Sequence, residues 1–385
     1  MNEHTRIYFD HASAEPMTKR VSDKIKHLLD EGLFFDPGRN YTEALLPRQK
    51  IEEARETIAC YFGAKPHEVI FTSSGTEAIN LAARGAKLAT ITPLSALSGV
   101  EHQAVKKAAI QNGETLRIQV DKYGILDLEH LEYLLSNTVS PRPSLVHCQT
   151  ANHEVGSLQP YAEVGELCAK YGVGLHLDAC ISAGHLPLDF SSLNADCVSI
   201  SGHKLGAPPG VGALLMKRTK RITPLIYGGS QERGKRAGFE NILGIAGLAE
   251  ACAELSAPGY LEQKESAIQA LHSYTVSLLR DIPAAEIYGD MYKKMPHILC
   301  FGLKNLNGEA ILREMDRNGI AIHSGSACAA ETIEPSEVLE AMGISGDTSI
   351  RISFGADNTT SEVDRFIFIL KQTLEKYSGY FKADL

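Results

Sequence analysis

Residues 197–204 read Cys-Val-Ser-Ile-Ser-Gly-His-Lys, an apolar run followed by small residues, a histidine and a lysine. The apolar part predicts a short buried strand. Similar runs recur along the chain, at residues 68–72, 116–120, 144–148, 173–177 and 212–216. Stretches with helical spacing lie between many of them, for example residues 162–171. Strands that alternate with helices need crossover connections, so we predict an α/β fold whose mostly parallel sheet is flanked by helices.

The pattern changes after about residue 256. One long amphipathic stretch and two strand candidates follow, at residues 261–279, 298–303 and 320–324. The last helix is predicted to begin with a capping box formed by Thr359 and Glu362. We therefore predict two domains: a large domain of residues 15–255, and a smaller α+β domain built from residues 1–14 and 256–385.

Composition limits the classes of function. The 385 residues carry a formal net charge of −9, which argues against coating a nucleic acid, because a surface that follows phosphates needs an excess of Lys and Arg. No apolar run approaches the roughly 18 residues needed to cross a bilayer, and the N-terminal residues lack the apolar segment of a signal peptide. We expect a cytoplasmic protein without a membrane or direct nucleic-acid partner.

The eight cysteines indicate neither a metal site nor a disulfide framework, since they are scattered without a CxxC pair. The default expectation for each of them is a small buried apolar side chain. They are Cys60, Cys148, Cys168, Cys180, Cys197, Cys252, Cys300 and Cys328. No metal is predicted.

Two features point to an anionic cofactor with a ring nitrogen. Residues 72–77 read Thr-Ser-Ser-Gly-Thr-Glu between a predicted strand and a predicted helix. The N–H groups and dipole of a helix N-terminus can hold a phosphate, although such a turn is often purely structural. Asp178 follows a predicted strand, where a buried carboxylate could pair with a protonated ring nitrogen. A helix cap is the alternative for Asp178.

Two further features suggest an aldehyde cofactor and an amino-acid substrate. Lys204 lies between a short strand and a turn-rich segment, a place that favours a lowered pKa and imine formation. Ser201 and His203 could add hydrogen bonds to a phosphate. Arg351 is flanked by isoleucines in a predicted strand and could bind a carboxylate with two parallel hydrogen bonds, or form a structural ion pair. Together these features are typical of an amino-acid-handling enzyme that uses pyridoxal 5'-phosphate.

The motifs also carry a family resemblance along nearly the whole chain. The relevant segments are Tyr-Phe-Asp-His-Ala at 8–12, Ser-Gly-His-Lys at 201–204, Gly-Gly-Ser-Gln-Glu-Arg-Gly at 228–234 and Ser-Gly-Ser-Ala-Cys at 324–328. In order and wording they resemble the class V (fold-type I) pyridoxal-phosphate family, and within it the cysteine desulfurases of the NifS/IscS kind. The resemblance implies a homodimer with active sites at the subunit interface.

The resemblance also implies a role for each site residue. Lys204 would bind the cofactor as a Schiff base, Asp178 would lie beside its ring nitrogen, and His102 would stack on the ring and shuttle protons. The phosphate would be held by Gly75, Thr76, Ser201 and His203. The substrate carboxylate would be bound by Arg351, Asn152 and His153, and His153 would also contact the cofactor.

The implied reaction converts L-cysteine to L-alanine. Lys204 would remove the Cα proton, and the thiolate of Cys328 would attack the substrate sulfur, which leaves a persulfide on Cys328 for an acceptor protein. Iron–sulfur cluster assembly is one destination for that sulfur. The alternatives are another pyridoxal-phosphate reaction (a C–S lyase, a selenocysteine lyase or an aminotransferase) and a non-catalytic paralogue that keeps the fold.

Four positions depart from the family pattern. His153 replaces an Asn, Ile181 replaces a Gln that hydrogen-bonds the phenolic oxygen of the cofactor, Phe239 replaces a Thr that reaches the partner subunit's phosphate, and residues 36–39 read Asp-Pro-Gly-Arg instead of Asn-Pro-Ser-Ser. Each lost hydrogen bond would cost about 1 kcal/mol. We hypothesise that His153 compensates for Ile181 by donating to the phenolic oxygen.

Overall fold

The computed structural model describes residues 6–32, 35–87, 93–136, 141–304, 306, 308–324, 336–345 and 349–378. The strands are β1 Ile7–Tyr8, β2 Val69–Thr72, β3 Leu94–Ser98, β4 Glu114–Ile118, β5 Leu145–Gln149, β6 Gly174–Asp178, β7 Cys197–Ser201, β8 Gly212–Met216, β9 Ala285–Tyr288, β10 Ile298–Leu303, β11 Ile320–Ala321 and β12 Ser349–Ser353. The helices are α1 Lys19–Asp30, α2 Leu45–Tyr61, α3 Gly75–Lys87, α4 Gln103–Asn112, α5 Leu128–Leu135, α6 Tyr161–Tyr171, α7 Ile242–Leu255, α8 Tyr260–Arg280, α9 Gly308–Arg317, α10 Glu337–Ala341 and α11 Thr360–Ser378.

A seven-stranded sheet forms the centre of the molecule, in the order β2-β8-β7-β6-β5-β3-β4. Its strands run parallel except β8, which is antiparallel to both of its neighbours. The prediction of a mostly parallel sheet flanked by helices is therefore confirmed. Helix α3, which follows β2, packs against β7 and β8 of the sheet. Helix α7, which follows the loop after β8, packs against α1 and α2.

The strand directions bring one set of strand ends together. The last residues of β2, β5, β6 and β7 are Thr72, Gln149, Asp178 and Ser201. Because these four strands are parallel to one another, their carboxyl ends lie at the same edge of the sheet, which is where ligands bind in open α/β folds. Two of these end residues, Asp178 and Ser201, were predicted as site residues.

A second group of strands lies in the C-terminal part of the chain. Strands β12-β10-β9 form an antiparallel sheet, and β1 pairs in parallel with β11. The strand predicted at 320–324 is shorter than expected, since beyond Ala321 only an isolated bridge joins His323 to Arg351. The capping box is confirmed: Thr359 N donates to Glu362 Oε2 at 2.8 Å, and Glu362 N donates to Thr359 Oγ1 at 3.3 Å.

The buried apolar residues separate into two large clusters. One surrounds the seven-stranded sheet and extends to Leu255, and the other joins Ile7 and Phe9 to residues between Ile268 and Leu370. This separation supports the domain division at residues 14/15 and 255/256, which stays a prediction. Among the described residues, none of the helices combines the length and apolar character that a membrane span needs.

The expectation for the cysteines holds at most positions. Seven cysteines lie in the described part of the chain; all are free, six are buried, and Cys60 is exposed near the end of α2. The expectation of burial was thus wrong for Cys60, because it lies on the solvent side of that helix. Cys328 lies outside the described residues.

Candidate active site

A pocket opens at the carboxyl edge of the central sheet. It contains about 580 Å³ of empty space, a volume that includes open solvent at its mouth. The residues predicted to bind the cofactor all line it: Gly75, Thr76, His102, His153, Asp178, Ser201, His203 and Lys204. They come from five separate segments of the chain, so the pocket is the point where the predicted site residues converge.

One wall of the pocket is the N-terminus of α3, directly after β2. A Cβ atom on Gly75 would lie 2.5 Å from Cys180 Sγ and 2.9 Å from Ser201 Cβ, so the position has room only for glycine. The turn is fixed by its own hydrogen bonds, since Ser73 N donates to Glu77 Oε2 at 2.7 Å and Glu77 N donates to Ser74 Oγ at 3.2 Å. This wall offers backbone N–H groups and small side chains to an anion.

Lys204 ends a short 3₁₀ turn, Gly202–Lys204, that follows β7 directly. The turn is anchored to the N-terminal segment by a hydrogen bond from Glu15 N to the carbonyl oxygen of His203, at 2.9 Å. Burial lowers the pKa of Lys204 below the ordinary lysine value, and Arg351 lowers it further, whereas Cys180, Asp178 and Asp10 act in the opposite direction. The amine is therefore more easily uncharged than a surface lysine.

Asp178 is the last residue of β6 and is buried. Its Oδ1 accepts a hydrogen bond from Cys180 N at 3.0 Å, and its carboxylate also interacts with the Cys180 thiol. The alternative of a helix cap does not apply, because no helix begins at Asp178 among the described elements. The carboxylate lines the pocket, where it can accept from a cationic N–H.

His102 and His153 also line the pocket and lie next to each other. Their rings meet edge to face, with centroids 5.0 Å apart and an interplanar angle of 71°. His102 caps α4, and its Nδ1 accepts from Ala104 N at 3.1 Å, so the proton of the neutral ring lies on Nε2. Burial lowers the pKa of both histidines, that of His153 strongly. Nδ1 of His153 is buried and lacks a hydrogen-bond partner among the described residues.

Arg351 lies on β12 and is almost fully buried. Its Nη2 forms an ion pair with Asp10 Oδ1 at 2.8 Å and donates to Ser13 Oγ at 2.7 Å, while Nη1 donates to the carbonyl oxygen of His153 at 2.8 Å. The sequence allowed either a substrate carboxylate or a structural ion pair for Arg351. In the structure Arg351 forms the ion pair, with Asp10. Asp10 and Ser13 were not predicted as site residues, although Asp10 belongs to the motif at 8–12.

Arg351 and Asn152, both predicted to bind the substrate, do not line the pocket. The side chain of Asn152 is fully buried, accepts from Glu154 N and Val155 N at 2.8 Å each, and donates to the carbonyl oxygen of Val100 at 3.1 Å. It therefore shapes the turn that carries His153, and its contact with the substrate stays a prediction. Cys328, the predicted nucleophile, lies outside the described residues.

Two of the residues that depart from the family pattern, Ile181 and Phe239, lie in different surroundings. Ile181 is buried and lines the pocket, so its side chain offers no hydrogen bond there. Phe239 is 54% exposed, at the end of a loop that begins near Ile226. This loop is fixed by the buried Glu232, whose carboxylate accepts from Arg55 at 2.7 and 2.8 Å and from Phe71 N at 2.9 Å.

Comparison with known proteins agrees with this fold and pocket. The family model described as aminotransferase class-V matches residues 7–366, and the chain belongs to this family. Its members depend on pyridoxal 5'-phosphate, and this chain is a pyridoxal-phosphate enzyme.

Individual proteins extend the comparison. The chain is 38% identical over 371 residues to a putative cysteine desulfurase IscS 1 of Bacillus subtilis, which covers 93% of this chain and 96% of that protein. It is 36% identical over 379 residues to a cysteine desulfurase of a Nostoc species, with coverages of 96% and 93%. The crystal structure of a NifS-like protein from Rickettsia africae superimposes with a TM-score of 0.87 at 30% identity, covering 96% of this chain and 99% of that one.

The pocket fits the cofactor of the family. The N-terminus of α3 at Gly75 suits a phosphate held by backbone N–H groups, and the buried carboxylate of Asp178 suits a protonated ring nitrogen. Lys204, with its lowered pKa, lies in the same pocket. These are independent requirements, and one cofactor satisfies them together.

Proposed function

We propose that this enzyme is a cysteine desulfurase that converts L-cysteine to L-alanine and keeps the sulfur as a persulfide on Cys328. The observation that carries the proposal is the meeting of Lys204, Asp178 and the Gly75 turn in one pocket. The class-V family and the names of the Bacillus and Nostoc relatives support the choice of reaction.

The residues of the pocket divide between the parts of the cofactor. Gly75, Thr76, Ser201 and His203 would hold the phosphate, Asp178 the ring nitrogen, and His102 and His153 the ring. Bound pyridoxal 5'-phosphate supplies an electron-withdrawing ring that makes the Cα proton of an attached amino acid removable. Lys204 would hold the cofactor through its side-chain amine.

The chain's own residues then handle protons and charge. Lys204 takes the Cα proton, which its lowered pKa favours because the amine is more often uncharged. His102, neutral with its proton on Nε2, can pass a proton within the pocket. Arg351 binds the substrate carboxylate. These roles follow from the position of each residue and stay proposals.

The sulfur-transfer step needs no external oxidant, because the substrate carbon is reduced as the sulfur is oxidised. The thiolate of Cys328 forms an S–S bond to the substrate sulfur, the C–S bond of the substrate breaks, and the carbon takes a proton, so that L-cysteine and the Cys328 thiol become L-alanine and a Cys328 persulfide. An acceptor protein then takes the sulfur. The IscS name of the Bacillus relative supports iron–sulfur cluster assembly as the destination.

We also propose that the enzyme is a cytoplasmic homodimer. Two segments carry three exposed large apolar side chains each, Tyr41, Leu45 and Leu46 in one and Ile226, Tyr227 and Phe239 in the other. The segments are neighbours, because one cavity is lined by both residues 36–39 and residues 229–233, and apolar groups of this kind favour a subunit contact. The seven free cysteines suit a reducing compartment.

The reaction is tested by incubating the cofactor-loaded enzyme with L-cysteine and measuring alanine, sulfide and pyruvate together. With a reductant present we expect alanine and sulfide in equal amounts. Pyruvate would instead indicate a C–S lyase, and the absence of all three products would contradict the proposal. Selenocysteine as the sole active substrate would indicate a selenocysteine lyase.

Cys328→Ala separates sulfur acceptance from cofactor chemistry. We expect loss of alanine and sulfide formation by at least about a hundredfold, because the nucleophile is removed, while L-cysteine still changes the absorbance of the bound cofactor. Cys60→Ala, at an exposed cysteine on α2, is the matched control and should keep full activity. Equal activity of both variants would exclude Cys328 as the acceptor.

A further inference from the structure

The guanidinium of Arg351 is already engaged by the chain itself. Nη1 donates to the carbonyl oxygen of His153, and Nη2 donates to both Asp10 Oδ1 and Ser13 Oγ, all within 2.8 Å. The side chain of Arg351 is 6% exposed and that of Asp10 is 20% exposed. Nε is buried and, among the described residues, has no acceptor. Arg351 therefore binds a carboxylate of its own chain, and its Nε remains a buried donor without an acceptor among the described residues.

The geometry of the guanidinium restricts how a second carboxylate can bind. Two parallel hydrogen bonds to a carboxylate need one edge of the guanidinium, either Nε with Nη2 or Nη1 with Nη2. Both edges include Nη2, which already donates to Asp10 and Ser13. Neither edge can receive both oxygens of an incoming carboxylate unless Asp10 or Ser13 gives way.

Asp10 is held by its backbone more firmly than by its side chain. Its backbone bridges to Ser353 on β12, and its carbonyl oxygen accepts from Tyr8 Oη at 3.0 Å. The carboxylate is held by Arg351 and by Ser13 Oγ, which donates to Oδ1 at 2.9 Å. A rotation of the Asp10 side chain would thus free one of the two N–H donors of Nη2, without movement of the strand contacts.

Asp10 also offsets the effect of the Arg351 charge on Lys204. The two act on Lys204 in opposite directions, since after burial and Cys180 its pKa is lowered by Arg351 and raised by Asp10. Without the carboxylate, a buried cation would remain unpaired, which is costly. The Asp10 carboxylate therefore neutralises the positive charge of the Arg351 guanidinium while no other anion is bound to it.

We infer that Asp10 occupies the place of the substrate carboxylate on Arg351 and that an amino acid binds by exchange. The incoming carboxylate takes Nη2 and Nε as Asp10 releases Nη2. Asp10 is then a positioning and specificity residue, since only a ligand with its own carboxylate can replace it on the buried guanidinium. The inference rests on the proposed function, because it takes an α-amino acid as the substrate.

The test compares L-alanine with L-alaninamide, which lacks the carboxylate. Each ligand is titrated into the cofactor-loaded enzyme, and the dissociation constant is measured from the absorbance of the bound cofactor. Asp10→Asn keeps the size and one accepting oxygen but removes the competing charge. We expect it to bind alanine about tenfold more tightly, as expected for a weakened charge-assisted hydrogen bond, and alaninamide within about threefold of wild type.

Two further variants make the result specific. Asp23→Asn removes the same charge at an exposed position on α1 and should change neither constant. Ser13→Ala removes one of the two acceptors of Nη2 and a donor that holds the Asp10 carboxylate, without a change of charge. It should tighten alanine binding by a smaller factor, which keeps the inference testable if Asp10→Asn does not fold.

The outcomes separate the exchange from the proposed function. Alanine affinity that is unchanged or weaker in Asp10→Asn or in Ser13→Ala, with alanine still produced from L-cysteine by the wild type, overturns the exchange alone. Equal tightening of alanine and alaninamide also overturns it. A wild-type enzyme that binds neither ligand overturns the proposed function and the exchange with it.

Discussion

Gly75 shows how one residue can decide whether the pocket accepts a phosphate. An alanine Cβ at this position would meet Cys180 Sγ at 2.5 Å and Ser201 Cβ at 2.9 Å. Both neighbours line the same pocket, so relief of the clash would push atoms into the space for the cofactor. The requirement is therefore for space, independent of the backbone conformation.

Gly75→Ala is expected to weaken the binding of pyridoxal 5'-phosphate by about tenfold or more, as overpacking of a tight site costs roughly 1–3 kcal/mol. The dissociation constant is measured by absorbance titration of the cofactor-free protein. Adding Cys180→Ala removes the closest atom and should recover part of the loss. Wild-type affinity in Gly75→Ala would show that the cofactor does not approach this turn.

A site residue could be predicted from the sequence where the residues next to it in the chain are enough to indicate its role. Lys204 and Asp178 are of this kind, because Asp178 ends a strand and Lys204 ends the short turn that follows one. The partner of Arg351 was not predictable, since Asp10 is 341 positions away and only the fold brings the two together. The inward or outward direction of Asn152 also depends on a turn whose hydrogen bonds the sequence does not reveal.

At the scale of elements, the N-terminal segment links the two large clusters to the Lys204 turn. Ile7 and Phe9 pack in the C-terminal cluster, while Glu15 bonds to the turn through its backbone and to His11 and Lys264 through its carboxylate, at 2.8 and 3.5 Å. Although burial opposes ionisation, the hydrogen bond from His11 and the charge of Lys264 lower the pKa of Glu15 to about 2.

This lowered pKa predicts a pH-dependent contribution to stability. The carboxyl group of Glu15 titrates near 4.5 when the chain is unfolded and near 2 when it is folded, so its contribution is complete above about pH 4.5 and is lost as the pH falls towards 2. The free energy of unfolding of wild type should exceed that of Glu15→Gln by about 3 kcal/mol at pH 6.

The difference between the two proteins should shrink steadily from pH 4.5 to pH 2, as measured by denaturant unfolding at a series of pH values. Asp23→Asn, on the exposed surface of α1, should show little difference from wild type at any pH. A difference between wild type and Glu15→Gln that stays constant from pH 6 to pH 3 would contradict this account of the segment.

The directions of the strands mark the limit of prediction at this scale. The apolar run at 212–216 predicted β8 with its observed bounds, yet β8 is the strand that runs against its neighbours. Hydrophobic periodicity reports burial, and a strand buried on both faces looks the same in either direction. The direction of β8 follows from its connections to β7 and to the loop before α7.

At the scale of the whole molecule, alternation of strands and helices was enough to predict the class of fold. A parallel sheet places its strand ends along one edge, and this explains why residues as far apart in sequence as Gly75, Asp178 and Lys204 share a pocket. The second cluster brings β12, and with it Arg351, to the N-terminal segment. The substrate site is thus built from both ends of the chain.

The most direct test of the account is the identity of the lysine that carries the cofactor. The enzyme loaded with pyridoxal 5'-phosphate is reduced with borohydride, digested and mapped by mass spectrometry. We predict that the modified residue is Lys204 and that Lys264, a buried lysine close to the Glu15 carboxylate, stays unmodified. An unmodified Lys204, or a cofactor attached to another lysine, would contradict the assignment of the active site.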